Sequence, residues 1–516
     1  MIGTALVLFA IACLLPAGYM LVAGLETGVQ RSAAAAFLLD ARQRELLTNS
    51  ALLGTGTALI SSAVGVPLGL ALARIPLPWK PGLRLALAAP ALLPPYIVGL
   101  AWIYVGGTRG PLAAVAGREL LSDWTYSLPG AVIVLSLVFY PLSMLATEVA
   151  VRRIEGRLEE AALLVAAPGR VVRRISLPLA APGILAAALI TFVLAVSEFG
   201  VPGLLRVRVF TTEVFTAFAA LYDFGRAAQL TLPLLLLSLA VAGSAGALAG
   251  ERLLTTPRGA GSRPVSLHSW RVPAVAGVLL VIAVTLLCPL IVLGLEARQV
   301  PSMREVFAGS SGAIANSLTL GATGATAVVA LAVWIGYARA RARPRIGRIV
   351  DGLLVVLFAL PSTIVGVGLI GLWNRPGPIG AIYGTHLMVL LGYLARLVPV
   401  AALLLAAAVR HIPVSQEEAA SVSGAGWLRT MWCVVFPQMR LGLGAAWVVV
   451  FVLACGELGT TILVAPPGEA TLPIRIYTII ANTPSSHVAA LALLQAGVIF
   501  APLAILGLAV SPRVTR

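Results

Sequence analysis

The sequence predicts an all-α polytopic membrane protein, with about twelve transmembrane helices in two tandem six-helix repeats. Three observations carry that expectation. Of the 516 residues, 59% are hydrophobic and only 11% charged, with a mean hydropathy of +0.99, whereas soluble domains are about 25% charged. Apolar runs near 20 residues long, enough to cross about 30 Å of hydrocarbon, recur throughout the chain. Finally, distinctive stretches return in the same order about 260 residues apart.

Taken in order, the apolar runs lie at about 4–25, 51–73, 84–107, 126–150, 181–200 and 229–250. A second set follows at about 272–295, 313–338, 350–373, 382–407, 440–464 and 488–511. The opening MIGTALVLFAIACLLPAGYMLVAG lacks a basic leader, and its apolar run continues past Cys13. It therefore reads as a first transmembrane helix and not as a signal peptide. The net charge of +16 alternates from loop to loop, which argues against a nucleic-acid surface. Arginine gathers after the fourth run (Arg152, Arg153, Arg157, Arg170, Arg173, Arg174) and after the eighth (Arg339, Arg341, Arg343, Arg345, Arg348). The positive-inside rule then places both termini and every Arg-rich loop in the cytoplasm. Cys13, Cys288, Cys433 and Cys455 are scattered, without disulfide or metal spacing. The four histidines, His268, His386, His411 and His487, do not cluster in the sequence, so no metal site is expected.

The duplication is legible at residue level. NSALLGTGTALISSAVGVPLGLALAR, from Asn49, matches NSLTLGATGATAVVALAVWIGYARAR, from Asn316. LPPYIVGLAWIY, from Leu93, matches LPSTIVGVGLIGLW, from Leu360, and SEFGVPGLL, from Ser197, echoes GELGTTILV, from Gly456. An even number of spans per repeat gives both repeats the same orientation. The expected division is a first repeat at 1–250, a cytoplasmic linker at 251–271 and a second repeat at 272–516, with polar loops near 155–182 and 410–440.

Those loops read EEAALLVAAPGRVVRRISLP, from Glu159, and EEAASVSGAGWLRTMWCVVFP, from Glu417. The Glu-Glu-Ala-Ala opening suits a helix start, with carboxylates near the positive end of the dipole. The helix is expected to end near Gly169 in the first copy and Gly424–Gly426 in the second. A short basic-apolar piece then leads to Pro178 or Pro437, expected to restart the next span. Small residues on one side of such a helix form a docking surface.

The pattern Glu-Ala-Ala, three residues, Gly, nine residues, hydrophobic-x-hydrophobic-Pro resembles the coupling motif of ATP-binding-cassette importer permeases. The second copy matches fully through Glu418, Ala419, Ala420, Gly424, Val434, Phe436 and Pro437. The first has Glu160, Ala161, Ala162 and Pro178, but Ala166 stands at the Gly position and the following spacing is one residue shorter. Across nearly the whole chain the resemblance is to the fused ferric-iron-type family. It implies two loops that engage a cytoplasmic ABC ATPase dimer, and an extracytoplasmic solute-binding protein that delivers the solute. It further implies an inner-membrane location and ferric iron as the leading solute, with thiamine, polyamine or sulfate as alternatives within the class. Lys80 is the only lysine, so no G-x-x-x-x-G-K-[ST] phosphate loop exists in the chain. The chain is therefore expected to bind no cofactor and to be no enzyme by itself, with ATP and Mg used by the partner ATPase.

Intramembrane ionisable residues are the other candidates. Glu198 and Glu457 occupy equivalent places and are expected to face the pathway or the docked binding protein; their oxygens suit a hard cation. Arg396, whose counterpart is Val138, is a candidate gate residue that pairs with Glu457 or another acid. A secondary transporter is the rival reading, but it leaves the paired EEAA loops unexplained.

Overall fold

The computed structural model describes residues 7–31, 40–107, 110, 118–252 and 270–514. Among these residues the secondary structure is helical, without strands. Ten helices are long and apolar enough to cross a membrane, or up to twelve if each of two bent pairs is one span. The protein is thus all-α and multi-pass.

The bent pairs correct two of the expected continuous spans, at 84–107 and 350–373. Lys80–Leu92 turns by 91° into Pro95–Gly106, and Ile346–Ala359 turns by 94° into Ser362–Trp373. Both breaks fall at a Leu-Pro step. Leu93 (ψ 135°) and Leu360 (ψ 123°) are extended, the conformation that a following proline enforces by clashing with a helical predecessor.

Elsewhere proline is absorbed without a break. Expected to restart spans, Pro178 and Pro437 instead lie inside the continuous helices Pro168–Ser197 and Trp427–Gly456. Immediately upstream, each helix widens into a π-turn, Val172–Ser176 or Met431–Val435. The amide before each proline reaches back five residues, from Leu177 to the Val172 carbonyl and from Phe436 to Met431. The wider turn makes room for the ring, which would otherwise strike the carbonyl four residues back. Pro16 and Pro289 follow π-turns at Ala10–Leu14 and Ala283–Leu287 in the same way.

Two compact units form, and they cut across the linear halves. One comprises Met1–Ala33, Ala217–Thr231 and Pro301–Arg516; the other comprises Ala34–Thr216 and Leu232–Val300. The first span therefore belongs with helices of the second sequence half. Its Pro16 carbonyl lies so near Gly368 that a Cβ there would stand 2.4 Å away. Helix Arg271–Ala297 correspondingly joins the first half, where the Tyr140 hydroxyl meets Thr285 Oγ1 at 3.3 Å. The sequence joint at 251–271 falls, but for its ends, outside the described residues.

Within each unit, two long helices form the centre. In one, Ala41–Arg74 packs on Leu128–Arg152; in the other, Ser311–Arg341 packs on His386–Arg410. Gly69 and Gly336 permit these contacts, since a Cβ would come within 2.4 Å of the Met144 carbonyl and 2.9 Å of the Ala402 carbonyl. These pairs occupy matching places in the repeat, so the duplication extends to backbone contact.

Candidate functional site

Each EEAA loop begins with a short helix, Gly156–Leu163 or Val414–Val422, placed directly after a long central helix. The two glutamates that open each motif take different roles. Glu159 is fully buried, and its Oε1 accepts from Arg74 Nη2 at 2.6 Å and from Ser176 Oγ at 2.6 Å. Arg74 also donates to the Val151 carbonyl at 2.9 Å. Glu417 accepts from Arg341 Nε at 2.8 Å and from the Tyr337 hydroxyl at 2.7 Å, while Arg341 donates to the Ile412 carbonyl at 2.9 Å. Arg74 and Arg341 are the last residues of their central helices. An arginine-glutamate clamp thus fastens each loop helix to its bundle. A displaced loop must pull on that helix, most firmly in the first repeat, where leaving either member of the buried Arg74–Glu159 pair uncompensated costs about 3–5 kcal/mol.

Facing the other way are the motif residues expected to dock. Glu160, Ala161, Glu418 and Ala419 are exposed, whereas Ala162 and Ala420 are half-buried. The tips carry apolar side chains in the open: Leu164 is 86% exposed, Val165 85% and Val422 88%. Leu164 and Val165 are neighbours in the first tip, so with the small residues beside them they form a contiguous apolar face that a partner can cover.

The helix ends differ. Gly424, at φ +79°, terminates the second: its amide bonds to the Ser421 carbonyl and the Ala425 amide to Ala420, both at 3.0 Å. This pair of bonds is the Schellman arrangement. The first helix stops at Leu163 without a left-handed residue, so the expectation for Gly169 is corrected. Gly169 sits inside the next short helix, Pro168–Val171. Pro178 and Pro437 are both exposed.

After each tip the chain re-enters its bundle. In the first loop Val171 and Val172 are buried against Leu70, Ala162, Leu163 and Ile175. In the second, aromatic rings do this, with Trp427 at 5.8 Å from Trp334 and 6.2 Å from Tyr337, and Phe436 at 5.6 Å from Trp334.

The clamp arginines and the division of labour within Glu-Glu were missed by sequence reasoning. A signal existed, because the aligned segments LALAR and YARAR both end in arginine; on charge alone it read as loop orientation.

Glu198 and Glu457 stand at equivalent helix ends, half-buried. Glu198 Oε1 accepts the Gly200 amide at 2.9 Å. The Glu457 carboxylate accepts the amides of Thr460 and Thr461, each at 2.9 Å, and the Thr461 hydroxyl. Both carboxylates therefore organise the turn that follows them. Arg396 donates from Nη1 to the Leu360 carbonyl, at the 94° bend. Glu148, buried at a span end, lies between Arg84 and Arg152 at 3.1 and 2.7 Å. Among the described residues, no three His, Cys, Asp or Glu side chains gather as ligands for a metal.

A duplicated, multi-pass helical protein, with a loop clamped onto each bundle and small and apolar residues exposed at its tip, has the build of a transport subunit. Residues 328–516 match the family of binding-protein-dependent transport system inner membrane components. A putative ABC transporter permease protein, ORF1, of Streptomyces antibioticus is 31% identical over 176 residues, covering 34% of this chain and 75% of its own length. The Fe(3+)-transport system permease protein FbpB 2 of Haemophilus influenzae is 21% identical over 483 residues, 92% of this chain and 91% of its own. The molybdenum transport system permease protein ModB of Escherichia coli is 33% identical over 148 residues, 28% of this chain and 62% of its own. The chain belongs to this family, the permeases of ATP-binding-cassette importers.

Proposed function

We propose that the chain moves a small solute, ferric iron foremost, from an extracytoplasmic binding protein to the cytoplasm, driven by a separate ATPase dimer. The observation that carries this reading is the pair of clamped loop helices. Each presents Glu160-Ala161 or Glu418-Ala419 outward beside exposed apolar tips, while Glu159 or Glu417 holds it to the bundle. The exposed face suits a cleft on an ATPase, and the clamp suits transmission of its closure. Movement of the docked loops then switches the pore between inward- and outward-facing. The ATPase, not this chain, uses ATP and Mg. In this arrangement the loops and both termini are cytoplasmic, in the inner membrane.

Ferric iron is favoured because the ferric relative runs alongside both repeats, over 92% of the chain. Molybdate is the second reading, from the higher identity of the shorter ModB match. The carboxylates of Glu198 and Glu457 stabilise their own turns, which supports a pathway in which the binding protein confers selectivity.

Two measurements test this. Membrane-extracted chain is co-purified with candidate ATPase subunits, comparing wild type with a Glu160→Arg/Glu418→Arg double variant. An ATPase retained by wild type and lost from the variant is expected; transport in vesicles without ATP, and no retained ATPase, would instead favour a secondary carrier. Uptake of radiolabelled Fe(3+), with molybdate, thiamine, polyamine and sulfate as competitors, then names the solute. Gly424→Asp or Glu418→Arg is expected to abolish uptake with insertion intact, and unchanged transport in both would sink the docking role.

A further inference from the structure

The first repeat carries a strongly basic recess, two of whose three arginines are replaced by uncharged residues in the second. Arg170, Arg173 and Arg174, with Gly169, line a cavity of about 440 Å³ in the returning half of the first EEAA loop. All three arginines are exposed, and among the described residues none of their guanidinium groups makes a hydrogen bond or ion pair. Three guanidiniums held together without an acid repel one another, an arrangement that an anion relieves.

The position of the recess defines the anion. Helix Pro168–Ser197 runs without interruption from these arginines into a span. Arg174 and Arg173 lie four and five residues before Pro178 and Arg170 eight, so a rise of about 1.5 Å per residue puts the first two backbones about 6–8 Å, and Arg170 about 12 Å, from the start of the apolar surface. Pro178, Leu179, Leu185 and Ile190 are exposed along that continuation. A charged recess continuous with an exposed apolar stripe fits an amphiphile, with its phosphate on the arginines and its acyl chain on the stripe. A free anion would leave the stripe unused.

We infer that Arg170, Arg173 and Arg174 form a binding site for the headgroup of one anionic phospholipid, unique to the first repeat. Aligning the two π-turns places Arg429, Trp432 and Cys433 at the matching positions. One guanidinium remains there, and Trp432, 61% exposed, is a side chain suited to an interface without a charge requirement. The inference needs the loop only at the membrane surface and is independent of ATPase docking.

The test uses the full-length chain in nanodiscs of phosphatidylcholine doped with phosphatidylglycerol, read by native mass spectrometry after release. Wild type is expected to retain phosphatidylglycerol in preference to phosphatidylcholine. Arg170→Gln/Arg173→Gln/Arg174→Gln should bind it on the order of 100-fold more weakly, each basic residue contributing a few-fold. Arg429→Gln should bind as wild type does. Equal retention by the triple variant, or equal retention of phosphatidylcholine, overturns the site. Displacement of the lipid by millimolar inorganic phosphate would make it a soluble-anion site instead. Loss of a co-purifying ATPase from the triple variant in pure phosphatidylcholine would make the arginines protein contacts. A single-arginine series, Arg173→Gln or Arg174→Gln, keeps the measurement interpretable should the triple variant fail to insert.

Discussion

The two EEAA loops share a motif and a clamp but are held by different forces. In the first, the Arg74–Glu159 pair is almost wholly desolvated, with side chains 4% and 0% exposed, and the re-entry point is aliphatic. In the second, the Arg341–Glu417 pair is 17% and 13% exposed, Tyr337 donates to Glu417, and the rings of Tyr337, Trp427, Trp334 and Phe436 pack on one another. One loop depends on a charge pair cut off from water; the other spreads its hold over a partly exposed pair, a tyrosine hydrogen bond and packed rings. The shorter spacing of the first copy fits the same picture. The second helix spends a left-handed residue, Gly424, on its exit, whereas the first exits one residue earlier without one. Where no residue has positive φ, no glycine is required, and Ala166 fits.

That contrast can be broken most severely at the clamp. Arg74→Ala leaves the Glu159 carboxylate buried without its cation and should cost about 3–5 kcal/mol. Arg341→Ala should cost about 1–3 kcal/mol, because water reaches Glu417 and Tyr337 still donates to it. Thermal unfolding of the purified chain reads both, and equal losses would erase the distinction between the loops. A smaller effect sharpens a second asymmetry. Arg396→Met removes the donor to the Leu360 carbonyl at a bend whose counterpart, at Leu93, belongs to the repeat in which Val138 takes the arginine's position. A loss of about 1–3 kcal/mol is expected, with faster proteolysis near 360. If unfolding and cleavage do not change, the arginine does not hold the bend. Smallest is the exit itself. Gly424→Ala forces a Cβ into the left-handed region and should cost about 1–2 kcal/mol, whereas Ala166→Gly should stay within about 1 kcal/mol. Limited proteolysis of each loop distinguishes them.

Much of the molecule was legible along the chain. Apolar runs located the spans, because crossing hydrocarbon is a requirement on local composition. Repeated stretches revealed the duplication, and Gly424 was recognisable as a terminator because only a few residues tolerate that backbone. Gly169 misled for the converse reason: a glycine permits a helix end but does not demand one. The Leu-Pro steps were visible, yet hydropathy carries no direction, so 84–107 and 350–373 read as straight spans. Pro178 and Pro437 looked like breaks because a π-turn has no signature in composition.

By itself, then, the sequence determined the membrane-spanning class, the twofold repetition and the places of the two loops, all set by residue type within a short window. Tertiary structure alone decided that the first span joins the second half and that Arg271–Ala297 joins the first. It also decided that Glu159 is a clamp while its neighbour Glu160 faces outward. Such assignments depend on which groups meet across the fold, Arg74 with Glu159 and Pro16 with Gly368, and a linear pattern holds no record of distances between residues far apart in the chain.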